Sequence, residues 1–125
     1  MVKGGVYDFP LSFDYEPTYA IAAESIPGLA FVAFNEPSVV SLANHASGKW
    51  ATALAMTPAV LGQNLELKFY GVVRSDQFAF ADEDINKPLW LDSNGTYTFQ
   101  RPIGTLAQLL GIVIDTNAIF FAPRF

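Results

Sequence analysis

The side chain best suited to acid-base chemistry is His45, the only histidine in the sequence. It stands in the stretch Leu-Ala-Asn-His-Ala-Ser-Gly, close to the hydroxyl of Ser47. A serine nucleophile needs a base within hydrogen-bond reach and a third group that orients this base. The chain contains no nucleophile-elbow motif that would set up such a serine. We therefore predict a solvated loop histidine and no catalytic residue.

The acidic residues form a second candidate, because carboxylate oxygens are the ligands that hard cations such as calcium prefer. Asp82, Glu83 and Asp84 are consecutive, and Asp76 precedes them. The cluster lacks the ligand spacing and the turn glycine of a calcium-binding loop. Two carboxylates at a suitable separation can also hydrolyse a glycoside, but no pair stands out here. The sequence favours a solvated acidic turn and leaves open whether Asp82, Glu83 and Asp84 bind a cation.

Aromatic residues form the third candidate, since their flat faces stack on ligands such as sugars. Trp50, Trp90 and Tyr97, together with the phenylalanine-rich runs, could line a sugar-binding groove. Aromatic residues at strand spacing are more often part of a hydrophobic core. We favour the core interpretation and keep a lectin-like module as the alternative.

The composition narrows the possible partners. The chain is 51% hydrophobic and only 15% charged, against about a quarter charged in an average soluble domain. This excess of apolar residues predicts an assembly partner. The net charge of -5 argues against nucleic acid as a ligand, because phosphate binding requires clustered lysine and arginine. Without cysteine the chain has neither disulfides nor thiolate metal sites, and we predict no cofactor and no metal.

The length of 125 residues fits one domain with a real core. No segment is apolar over the roughly 18 residues that a membrane span requires, and the first residues lack the apolar run of a signal peptide. We expect a soluble protein that is made in the cytoplasm and does not associate with a membrane.

A first β-hairpin is predicted around Asn94-Gly95, which is flanked by runs of β-branched and aromatic residues. A two-residue loop would divide the large apolar side chains between both faces, whereas a three-residue loop, residues 93–95, collects four of them on one face. We therefore predict the three-residue loop, with positive φ at Gly95. The resulting pairs are Leu91 with Tyr97, Leu89 with Phe99 and Trp90 with Thr98.

A second hairpin is predicted around Thr116-Asn117, and its ribbon is apolar on both faces. A sheet with one solvated face alternates apolar and polar residues. A ribbon that is apolar on both faces is therefore either sandwiched inside the domain or covered by another subunit, and we favour partial coverage by a partner. The predicted pairs are Ile114 with Ile119, Val113 with Phe120 and Ile112 with Phe121.

Alternating or β-branched runs predict further strands upstream, bounded by turn residues. These are residues 29–34, 38–42, 49–56, 65–70 and 77–81, although residues 51–55 are also consistent with a helix. Leu65, Leu67 and Phe69 are expected to face inward. Residues 104–110 are interpreted as a strand, with a short helical turn as the alternative because leucines there lie at helical spacing.

Residues 1–19 predict an extended N-terminal arm. Apolar and polar residues alternate in it as in a strand, but Pro10 and Pro17 interrupt any regular ladder. Such a segment either lies over a neighbouring surface or forms an edge strand of its own sheet. We predict an all-β protein, a small β-sandwich or β-barrel formed by residues 20–125 as a single domain, with this arm in front. The alternating apolar residues are Phe9, Leu11, Phe13 and Tyr15.

The C-terminal part of the chain carries a recognisable pattern. Asp84 is followed by Lys-Pro-Leu-Trp-Leu from Lys87, a turn at Gly95, a glycine before an apolar strand at Gly111, and a closing apolar strand that ends near Pro123. This pattern resembles that of capsid decoration, or cement, proteins of tailed bacteriophages and of related modules in phage head or tail fibres. Residues 39–70 match it loosely, and residues 1–38 do not match it.

The resemblance implies a small β-sandwich or β-barrel without catalytic residues that sits on the outside of an assembled phage head. It would stabilise the virion by bridging subunits of the major capsid protein, as a homo-oligomer such as a trimer. The alternative from a different class is a fibre module that binds a receptor or a carbohydrate, and an enzyme such as a depolymerase is third. Residues expected at subunit or capsid contacts are Phe9, Leu11, Phe13, Tyr15, Val113, Phe120, Phe121 and Phe125.

Overall fold

A computed structural model of the chain describes residues 18–103 and 107–125 and shows an all-β protein, as predicted, built from a closed barrel and a five-stranded sheet. The barrel strands are β1 (Thr18–Ala22), β2 (Phe31–Glu36), β3 (Val39–Leu42), β4 (Ala53–Ala55) and β5 (Asn64–Lys68). The sheet strands are β6 (Gly71–Arg74), β7 (Pro88–Leu91), β8 (Tyr97–Thr98), β9 (Leu109–Asp115) and β10 (Ala118–Phe121).

The barrel has the strand order β1-β3-β2-β4-β5 and closes because β5 also pairs with β1. Strands β1 and β3 run parallel, whereas the other neighbours are antiparallel. A barrel of few strands encloses little space, so small side chains must fill it. Its interior is rich in alanine, which explains why Ala53–Ala55 forms a strand in spite of its helix propensity. The larger interior side chains are Ile26, Val32, Val40, Leu65 and Leu67.

The first half of strand β2, Phe31 to Ala33, is buried on both of its faces. Val32 lies in the barrel interior, whereas Phe31 and Ala33 belong to a second core between the barrel wall and the sheet. In this second core the ring of Phe31 lies 5.7 Å from the ring of Phe121 on β10. A strand that is covered on both faces has an unbroken apolar sequence, and this accounts for the run that begins at Phe31. The barrel and the sheet therefore share a core.

The first hairpin of the sheet has the predicted register. Trp90 pairs with Thr98 and Leu91 pairs with Tyr97, which leaves the three-residue loop, and Gly95 has a φ of +73°. The large side chains of β7 that face inward, among them Leu91, are buried in the second core. Both predictions for this hairpin are confirmed.

The turn of this hairpin also reaches into the barrel. The N–H of Gly95 donates to the carbonyl of Ala43 at 2.7 Å, and its carbonyl accepts from the N–H of Phe31 at 3.0 Å. A Cβ atom on Gly95 would lie 2.8 Å from Cδ2 of Leu42 and 2.8 Å from the carbonyl oxygen of Phe31. Gly95 thus fastens the sheet to the barrel at a position where no side chain fits.

The second hairpin corrects the predicted register. Ala118 pairs with Asp115, so the two-residue loop is right, but the register then shifts and Ile119 pairs with Val113. Ile114 has no partner on β10 and forms a β-bulge, in which one unpaired residue is inserted into a strand. Because a shift of one residue changes the pairing of every side chain beyond it, the three predicted pairs are wrong.

Three of the predicted strands differ in the structure, and the one predicted at residues 49–56 is reduced to Ala53–Ala55. Residues 77–81 form no strand, although Phe78 and Phe80 are buried and their rings lie 5.4 Å apart. Both residues lie in a loop that covers the second core. The N–H of Phe80 in this loop donates to the carbonyl of Thr116, between β9 and β10. Phe69 does not face inward but is 41% exposed, because β5 ends at Lys68.

The boundaries of the arm and of the last predicted strand also change. Strand β1 begins at Thr18, two residues before Ala20, where the sequence placed the start of the domain. Residues 104–106 lie outside the described residues, and Gln108 is not in a strand, since β9 begins at Leu109. The buried side-chain amide of Gln108 instead pairs with the backbone of Ala51, through bonds of 2.7 Å to its N–H and 2.8 Å to its carbonyl.

Candidate protein-binding surface

The surroundings of His45 offer no room for a substrate. Its backbone N–H donates to the carbonyl of Asp92, and its Nε2 lies 3.9 Å from the Asp92 carboxylate. The cavity beside it has about 10 Å³, which is about the space of one water molecule. The hydroxyl of Ser47 donates to the carbonyl of Asn44 at 3.4 Å. The structure therefore places His45 and Ser47 in a turn that stabilises itself.

The acidic cluster forms a 3-10 helix, Asp82–Asp84, between β6 and β7. The carboxylate of Asp84 accepts hydrogen bonds from Nζ of Lys87 at 2.8 Å and from the N–H of Ala81 at 3.0 Å. The bond from Lys87 is the main cause that lowers the pKa of Asp84, and the bond from Ala81 adds to it. Among residues 18–103 and 107–125, no group of three His, Asp or Glu side chains is placed to hold a metal ion.

The aromatic residues considered for a sugar site contact different neighbours. The ring of Trp90 is covered by the guanidinium of Arg101 at 5.6 Å, and Trp50 lies 6.5 Å from the ring of Phe125. Tyr97 packs against Phe80, and burial is the main cause that raises its pKa. The structure does not gather Trp50, Trp90 and Tyr97 into one groove.

The outer face of the sheet presents an apolar row that crosses four strands. Phe120 of β10 stands between Val72 of β6 and Ile112 of β9, and Ile112 in turn pairs with Pro88 of β7. Tyr70 packs edge-on against Phe120, with ring centroids 5.3 Å apart. We call these five side chains the outer row.

The outer row is open to solvent at both ends, since Pro88 is exposed as well as Tyr70 and Val72, and Arg74 lies beside it. Tyr70 is 66% exposed and Val72 is 52% exposed, whereas Phe120 and Ile112 are half-buried. Arg74, on the same strand as Val72, donates to the carboxylate of Asp115 at 3.1 Å, and this bond is the main cause that lowers the pKa of Asp115. Clustered exposed apolar residues are typical of a contact surface for another protein. The outer row is therefore the candidate site.

The predicted contact residues fall into three groups, those outside the described residues, those that are buried and those at the surface. Phe9, Leu11, Phe13 and Tyr15 lie outside the described residues. Val113 and Phe121 are fully buried in the second core, so their side chains contact the chain itself and offer no surface. Phe120 lies in the outer row, and Phe125 is 79% exposed at the C-terminal end of the chain.

Sequence reasoning missed Tyr70, Val72 and Pro88. Val72 lies in the short strand Gly71–Arg74, in which two adjacent valines hide the alternation. Only the register of the neighbouring strands shows that Val72 lines up with Phe120. The apolar character of both ribbon faces was a usable signal, and it placed Phe120 among the expected contact residues but left Ile112 out.

A second open apolar region is a groove of about 650 Å³ at one mouth of the barrel. Val60, at its edge, is 54% exposed. The groove is lined by Ser25, Ile26, Pro27, Leu42, Pro58, Ala59, Val60, Gln63 and Asn94.

Comparisons with known proteins do not place the chain in a family. No protein-family model matches it, and no curated protein matches it significantly. In the described part of the chain, no helix is long and apolar enough to cross a membrane.

Proposed function

We propose that this protein is a structural protein of a tailed-phage virion, a decoration protein that binds the outside of the assembled head and stabilises it by bridging subunits of the major capsid protein. The observation that carries this proposal is the outer row, a solvent-facing apolar stripe across four paired strands. A stripe of this kind is suited to contact with another protein, and its role is attachment and not catalysis.

The C-terminal pattern that resembles phage decoration proteins supports this proposal through its positions in the fold. Within Lys-Pro-Leu-Trp-Leu, Leu89 and Leu91 are buried in the second core, while Pro88 belongs to the outer row. Gly95 fixes the sheet to the barrel, and Gly111 lies where a side chain would collide with the carbonyl of Phe120. The pattern thus combines residues that build the sheet with one that forms its outer surface.

The test is co-sedimentation of the purified protein with undecorated phage heads, with a charge placed in the outer row. We expect Val72→Glu to reduce binding at least tenfold, because an ionised carboxylate in a protein contact must be desolvated. The matched control is Val60→Glu, since Val60 is 54% exposed and Val72 is 52% exposed, and Val60 lies at the groove instead. His45→Ala should leave binding unchanged.

Two results would contradict the proposal. One is failure of the unmodified protein to bind heads, and the other is equal binding by the Val72→Glu and Val60→Glu variants. Electron cryomicroscopy of virions gives the position, and density at fibre tips instead of the head surface would favour the fibre module.

A further inference from the structure

We propose that residues 1–17 of a second copy bind along the free edge of β6, beside the Tyr70 and Val72 end of the outer row, so that neighbouring copies are linked by exchanged N-terminal segments. This inference rests on the proposed function, because it names one of the contacts by which an assembly protein bridges its neighbours. It concerns a contact between copies, however, and can be tested without phage heads.

The apolar residues of the segment alternate as in a strand. Phe9, Leu11, Phe13 and Tyr15 are separated by single residues, so that an extended backbone would present all four on one side. In a segment that runs along the edge of β6, one of these side chains would lie beside Val72 and the others farther along the strand direction. A bound segment would remove these side chains and the exposed end of the outer row from water.

The edge of the sheet provides main-chain partners as well. Within the part of the chain that the structure describes, β6 has β10 as its one strand neighbour. The N–H of Ser75, the residue after β6, points toward β10 and donates to the carbonyl of Asn117, the residue before β10. Because main-chain groups alternate in direction along a strand, those of Val72 and Arg74 lie on the free edge. An extended peptide can add to such an edge as a further strand.

The segment directly precedes β1, the first strand of the barrel. Thr18 pairs with Leu67 at the end of the barrel ladder, and Pro17 has no N–H with which to continue it. Glu16, which precedes this proline, favours an extended backbone. Seventeen extended residues span up to roughly 55 Å, whereas a sheet of five strands is only about 20 Å wide. The segment is therefore long enough to reach a neighbouring copy.

The test is disulfide trapping, which is clean because the chain has no cysteine of its own. Full-length Phe13→Cys and Val72→Cys variants, one of them carrying a mass tag, are mixed in equal amounts and oxidised mildly. We expect a covalent heterodimer on a non-reducing gel, at least fivefold more abundant than with Val60→Cys in place of Val72→Cys. The control has nearly the same exposure, 54% against 52%, on a different surface.

Two outcomes overturn the inference. The first is a heterodimer yield no greater than that of the control. The second is a bridge that forms within a single chain carrying both Phe13→Cys and Val72→Cys, without covalent dimers in the mixture, since the segment would then bind its own domain. Trapping that persists in a protein that fails to bind heads refutes the proposed function alone, and head binding without trapping refutes this inference alone.

A second measurement does not depend on cysteine substitutions. In a variant that carries Phe9→Ser, Leu11→Ser, Phe13→Ser and Tyr15→Ser together, we expect light scattering to show a lower mass than for the unmodified protein at equal concentration. An unchanged mass that exceeds one copy would show that the copies associate by another surface.

Discussion

Replacing Gly95 with alanine tests the junction between the sheet and the barrel. Gly95 combines a φ of +73° with two hydrogen bonds to the barrel, and a Cβ atom there would lie 2.8 Å from both a backbone carbonyl oxygen and the side chain of Leu42. Gly95→Ala therefore introduces backbone strain and a collision together. The side chain of Leu42 can rotate, but the carbonyl oxygen of Phe31 is part of the backbone, so relieving that contact requires the turn to move out of the barrel.

The cost can be built from these two parts. A non-glycine residue in the left-handed region costs roughly 1 to 2 kcal/mol. Overpacking of a tight site adds about 1 to 3 kcal/mol, since the colliding oxygen of Phe31 belongs to a buried strand. The sum, roughly 2 to 5 kcal/mol, is a large part of the stability of a typical domain.

The assay is equilibrium denaturation of Gly95→Ala beside Gly48→Ala. Gly48 has a φ of +71° and nothing within 4 Å of the position of its Cβ, so its replacement carries the backbone strain without the collision. We expect Gly95→Ala to lower the free energy of unfolding by at least about 1 kcal/mol more than Gly48→Ala. Equal losses in the two variants would mean that the turn does not insert into the barrel as described.

Three further predictions concern the core and the surface charges. Leu89→Ala should cost roughly 2 to 5 kcal/mol because Leu89 is fully buried, and a larger loss for half-buried Trp90→Ala in the same denaturation assay would contradict the face assignment. Gln108→Leu should cost roughly 2 to 4 kcal/mol, since a buried N–H and carbonyl lose their partner, and a thermal melt unchanged from the unmodified protein would refute this. The pKa of Asp115 is lowered in the fold chiefly by Arg74, so its contribution is present above the ordinary carboxyl pKa and is lost as the pH falls below about 4. Acid titration of stability should therefore be shallower in Asp115→Asn, and a steeper titration would contradict the sign.

The two hairpins show what decides whether a register can be predicted. Around Asn94-Gly95, one register gathers the large apolar residues and the other divides them, so the burial of Leu89 and Leu91 settles the choice. Around Thr116-Asn117, either register places apolar residues on both faces, and the sequence contains no feature that marks Ile114 as the bulged residue. The bulge was therefore invisible in the sequence.

This bulge is also the reason why the site was only partly predicted. With the predicted pairs, Val113 and Phe120 would share a face, whereas the observed register buries Val113 and leaves Phe120 in the outer row. The remaining members of the outer row come from Gly71–Arg74, a strand too short to show a period, and from Tyr70 just before it. Such a row exists only through the pairing of strands that are distant in sequence.

The way the barrel and the sheet are joined explains why the outer row is the surface left for the proposed attachment. The inner face of the sheet is covered by the barrel, which contributes Phe31 and Leu54 to their common core. Gly95, in the first hairpin of the sheet, forms backbone hydrogen bonds with Ala43 and Phe31 of the barrel half and so joins the two. A partner can therefore reach the sheet only at its outer face or at its edges. A single row of this size predicts a weak contact, because stable interfaces of ordinary strength bury far more surface. Weak contacts suffice when many copies are arrayed on one shell, since each bound copy raises the effective concentration of its neighbours' binding surfaces.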